Sequence, residues 1–113
     1  MPYRTISTLQ SWIDDFADLG FDAAILRVLP QDPEGDGDSG LIAAKLRSVS
    51  TTFFVAPDET PGATAWAVTF EPREDAAPLA GARVMALSGE LAMLAALCAF
   101  LQARSEAFLA AHR

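Results

Sequence analysis

The sequence predicts a single α+β domain: a short amphipathic helix, a small, mainly antiparallel sheet, and a long apolar helix at the C-terminal end. Three observations carry this. Helical apolar spacing appears at both ends, strand-like segments rich in β-branched and aromatic residues lie between, and 51% of the 113 residues are hydrophobic while only 20% are charged. Such a composition builds a core rather than a disordered chain, and the length suits one domain, 1–113.

In residues 7–19, Leu9, Trp12, Ile13, Phe16 and Leu19 recur at spacings of three and four, which lines one helical face, while Asp14, Asp15 and Asp18 point elsewhere. Ser7 and Gln10 match a capping box, and Gly20 suits the left-handed residue that ends a helix. Residues 22–29 then read as a strand apolar enough to be buried on both faces, hence central in the sheet. Residues 30–40 hold no apolar side chain and form a solvated loop. Residues 41–49 fit both periods; the run Ala43-Ala44-Lys45-Leu46-Arg47 favours a short helix.

Residues 51–56 and 64–71 are joined by a turn cluster rich in Pro, Asp and Gly, so they pair as an antiparallel hairpin with Trp66, Val68 and Phe70 facing the core. Residues 83–87 have room for a short edge strand, and Ser88 is a suitable N-cap for the closing helix, 89–111. The first half of that helix is apolar on every side, so it should be buried on every side. Either the first helix covers its far face or a second copy of the chain does, and the alanines at 92, 96, 99 and 103 would permit close approach.

Eight Lys and Arg against fifteen Asp and Glu leave a net charge of −7, which opposes direct nucleic-acid binding. The longest strongly apolar run, residues 91–101, falls short of the roughly 20 residues of a membrane span. No membrane role is expected. A lone Cys98 excludes an intrachain disulfide, and no apolar stretch follows Arg4, so the cytoplasm is the expected location.

Catalytic patterns are absent. His112, the sole histidine, is the penultimate residue, Cys98 sits among apolar neighbours, and the pairs Asp14–Asp15, Asp58–Glu59 and Glu74–Asp75 are solvated neighbours rather than tuned acid/base couples. The bare Gly35-Asp36-Gly37 fragment carries no phosphate-loop specificity. No cofactor is implied, and the chain is expected not to be an enzyme. Asp32, Glu34, Asp36 and Asp38 place hard oxygen ligands around Gly37 as a calcium loop would, although position twelve is Ala43 rather than a bidentate Glu.

Phe53 and Phe54 must point to opposite faces of a strand, so one of them leaves the main core. Excess apolar surface with an acidic exterior points to a protein-binding module that forms a homodimer: an adaptor, a chaperone-like binder or an inhibitor of a basic partner, with Met93, Leu97, Phe100 and Phe54 as contact residues. Two alternatives stand beside it: a small-molecule- or calcium-responsive regulatory domain, and an acidic nucleic-acid mimic that inhibits a DNA- or RNA-binding enzyme.

Overall fold

The computed structural model describes residues 5–30, 40–57, 64–72, 76 and 78–111. The elements run α1 (Ile6–Asp18), β1 (Arg27–Pro30), β2 (Gly40–Lys45), β3 (Thr52–Pro57), β4 (Trp66–Phe70) and α2 (Gly81–Ala111). The strands form one antiparallel meander in the order β1-β2-β3-β4. This is the α+β domain expected, with the sheet antiparallel throughout.

Cross-strand partners share a face, so Val28, Ile42, Val55 and Val68 form one inward row and Ala44, Phe53 and Phe70 the next. Ile42, Phe53 and Val55 are fully buried there, against Leu9, Trp12, Ile13 and Phe16 of α1 and Leu94, Leu97 and Leu101 of α2. Both helices therefore cover the same side of the sheet. Trp66 of β4 pins α2 with a polar contact: its Nε1 donates to Ser105 Oγ at 2.9 Å, and that hydroxyl donates to the Leu101 carbonyl at 2.8 Å. Ser105 is thus fully buried with its hydrogen bonds made.

Four expectations need correction. Residues 41–45 are strand rather than helix, because β2 hydrogen-bonds to neighbours on both sides and its Ile42 and Ala44 reach the core; tertiary pairing outweighs the helical preference of alanine. The segment 22–29 is not a central strand. Its first half is a turn, with the Ala24 amide donating to Asp22 Oδ1 at 3.2 Å and the Leu26 amide to the Ala23 carbonyl at 3.0 Å, and only β1 pairs, at the sheet edge.

Residues 83–87 form the opening turns of α2, whose first bonds run from the amides of Arg83 and Val84 to the Ala80 carbonyl. Ser88 is therefore internal; its hydroxyl donates back to the Met85 carbonyl at 2.7 Å, which satisfies it without a cap. Finally, α2 is not buried on every side: Leu94, Leu97, Leu101 and Ser105 are its only buried residues. The start of α1 also differs in detail, since Thr5 rather than Ser7 accepts the capping bond, from the Thr8 amide.

Gly20 closes α1 with φ +104°, a conformation that strains any side chain, whereas Gly89 lies inside α2 with open space around an added Cβ. Gly89→Ala should therefore raise stability by about 0.5–1 kcal/mol, and Gly20→Ala should lower it by about 1–2 kcal/mol. Urea unfolding of both variants checks the opposite signs.

Candidate interaction surfaces

A face of α2 stays uncovered because the helix packs against the sheet and α1 with one side only. At 1.5 Å per residue its 31 residues span about 46 Å, close to the 49 Å longest dimension of the molecule. Val84 and Met85, at 51% and 73% exposure, stand on its first turns, and Leu91 is 41% exposed. Continuing at spacings of three and four, Met85, Ser88, Ala92, Ala95, Ala99 and Ala103 make an exposed line opposite the buried Leu94–Leu101 stripe.

Between Val84 and Ala103 the helix has one ionisable carboxylate, Glu90, and it is turned away from that line. Glu90 Oε2 accepts the Arg47 amide at 2.9 Å, and its Oε1 accepts the Ser48 amide at 2.8 Å together with the Ser48 hydroxyl. A helix carboxylate thus holds the tight β2–β3 connection in place. Just beyond, Arg104 turns aside to Asp15 of α1 at 2.9 Å, with its guanidinium 4.7 Å from the Phe100 ring centre. The outward line is free of charge from Met85 to Ala103; the next position at that spacing is the exposed Glu106, whose Oε1 accepts from the Thr64 hydroxyl at 3.0 Å.

Beside it lies a cleft of about 390 Å³, lined by Gly20, Phe21, Asp22 and Ile25 after α1, Arg47 of the β2–β3 turn, and Ala86, Gly89, Glu90 and Met93 of α2. Phe21 stacks on Phe16 at a ring-centre distance of 4.3 Å, so its position is set by the core. Arg47 Nη1 donates to Asp22 Oδ2 at 2.7 Å. The Ala24 amide, and after it the Arg47 guanidinium, holds the Asp22 carboxyl below the ordinary 3.8. Burial pushes the Cys98 thiol above its ordinary value, so it stays protonated near neutrality.

The residues anticipated from sequence are not one site. Leu97 is fully buried, where a partner could touch it only if α2 lifted off the sheet; Met93 is half-buried in the cleft wall; Phe100 is half-buried and tilted onto Phe16. Phe54 is half-buried on the opposite face of the sheet, between Ala43 and Thr69. Asp32, Glu34, Asp36 and Asp38 lie outside the described residues, and among the described residues no three His, Cys, Asp or Glu side chains gather to hold a metal. Sequence reasoning missed Val84 and Met85, placed in a strand, and Glu90, which a lone acid in an apolar run could have revealed.

By length and composition α2 is also apolar enough to cross a membrane. No family model, no curated protein and no solved structure matches the chain.

Removing the Glu90 carboxylate leaves two amides and a hydroxyl without their acceptor, so Glu90→Ala should cost about 1.5–3 kcal/mol and speed hydrogen exchange at the Arg47 and Ser48 amides. Asp22 should titrate below 3.8 in a carbon-detected NMR titration. What that lowered value contributes to stability is complete above 3.8 and is lost as pH falls through the lower folded value. Arg47→Ala should restore only part of the shift, because the Ala24 amide is the larger cause.

Proposed function

We propose that this chain is a non-catalytic protein-interaction module that pairs with a second copy of itself through the outward face of α2. The observation that carries the reading is the uncharged line Met85, Ser88, Ala92, Ala95, Ala99 and Ala103, exposed along a helix whose other side is packed. A molecule of net charge −7 repels its own copies over most of its surface, so a face without charge is where two copies can meet. The same lack of charge gives a charged foreign partner nothing to recognise there.

Side-chain sizes add an orientation. Val84, Met85 and Leu91 stand on the N-terminal half of the exposed surface, and Ala95, Ala99 and Ala103 on the C-terminal half. An antiparallel pair sets each bulky half on the partner's alanines; a parallel pair would stack bulky on bulky and leave a gap between alanines. The alanine half allows the backbones to approach closely.

Sedimentation equilibrium of the full chain should give a dimer. Ala99→Glu, at an exposed position, should yield a monomer with unchanged helical circular dichroism, because in the antiparallel pair each new carboxylate would be buried without a partner against the other copy's apolar half, at a cost of several kcal/mol. A wild-type monomer at the highest soluble concentration, or flotation of the chain with phosphatidylcholine vesicles, would overturn the reading.

A further inference from the structure

We infer that the cleft between the end of α1 and the N-terminal half of α2 receives a basic amphipathic segment of a partner protein, its apolar side chains on the floor and a lysine or arginine at the rim. The floor is apolar and of mixed stiffness. Phe21 is held by its stack on Phe16, Ile25 packs against the core, and Met93 is flexible enough to adapt to different side chains. Gly89 and Ala86 keep the helix wall low, and a Cβ at 89 would project into open space rather than into the protein. At about 390 Å³ the cleft is large enough to admit apolar side chains, and its wall follows α2 for about two turns, from Ala86 to Met93. Such a run suits an apolar helical face better than a compact solute.

The rim selects the charge. It holds two carboxylates, Asp22 and Glu90, against one guanidinium, and Arg47 is already paired with Asp22. Asp22 remains 63% exposed in that pair, so its oxygens can meet a second cation. The C-terminal end of α1 adds its partial negative charge beside Asp18, with no basic residue in the last turn to offset it. An acidic peptide would meet repulsion from this rim and from the net charge of −7. The inference concerns a different side of α2 from the self-pairing line and does not depend on it.

The probe is a fluorescein-labelled amphipathic helical peptide of leucine and lysine, titrated into the full chain and followed by anisotropy. A leucine/glutamate peptide and oligolysine should each bind about tenfold or more weakly. Gly89→Leu adds a side chain to the cleft wall at a position where a Cβ meets no existing atom and replaces a helical glycine by a strong helix former, so it should weaken the leucine/lysine peptide by about tenfold or more while the melting temperature does not fall. Equal binding by oligolysine would reduce the interaction to bulk charge and overturn the inference. Unchanged binding to a folded Gly89→Leu variant would overturn it too, by placing the peptide elsewhere. The titration is repeated on Ala99→Glu: retained binding by that monomer separates the cleft from self-pairing, whereas loss of both together would assign the peptide to the outward face and refute the cleft.

Discussion

A four-stranded sheet with helices on one side only can support a strip of α2, and everything left over on that helix must find its own solution. At about 4.8 Å between strands the sheet is some 15–20 Å across, against about 46 Å of helix. The supported strip is Leu94, Leu97 and Leu101, ending in Ser105 under Trp66. N-terminal to Glu90, α2 runs past the sheet with Val84 and Met85 in the open. The exposed first turns follow from this mismatch in length, and the outward face from α2 meeting the rest of the fold with one side only.

Polar contacts fix the helix where apolar packing alone would let it slide. Leucines are interchangeable along a stripe, but a carboxylate that accepts two adjacent amides is not: Glu90 fits only the connection at Arg47 and Ser48, and Ser105 fits only the Trp66 indole. The two anchors are fifteen residues apart on the helix, about four turns. They hold its two halves in register with both the β2–β3 turn and the far edge strand. Arg104 to Asp15 and Arg47 to Asp22 are exposed ion pairs, and such pairs contribute little stability in water. Their weight here lies in orientation: one keeps a guanidinium off the outward face, the other keeps Asp22 at the rim of the cleft.

The legible parts of this fold were those whose local period and tertiary role agree. Leu9, Trp12, Ile13 and Phe16 form a helical stripe and bury as one, and the Trp66, Val68, Phe70 alternation is the inward face of β4. Where the two levels disagree, local preference misleads. Ala43, Ala44 and Lys45 favour helix, yet β2 lies between two strands that need its backbone. Ile25 and Leu26 look like strand interior but reach the core from a turn. Of the surfaces, the excess of apolar side chains on the last helix was readable from composition, but not which of them point outward. Leu97 and Ala99 are two residues apart; one is fully buried and the other exposed, and only the position of the sheet decides between them.

The other uncovered surface, the back of the sheet, follows a different logic. Leu29, Leu41, Ala56 and Ala67 form one row there, and Arg27, Ala43, Phe54 and Thr69 the next. Neighbouring strands shield much of each side chain, which leaves Leu41, Ala43, Phe54 and Ala56 half-buried with no helix over them among the described residues. An antiparallel sheet tolerates water on one face, and Arg27 and Lys45 at its rim keep that face wetted. A helix has no such neighbours: Met85 and Val84 rise from a cylinder and meet water on nearly every side. Moving α2 into a membrane would hide them, but it would also strip Leu94, Leu97 and Leu101 from the core and pull Glu90 from its three donors into hydrocarbon. Pairing on the outward face hides the exposed residues and leaves every one of those inward contacts in place.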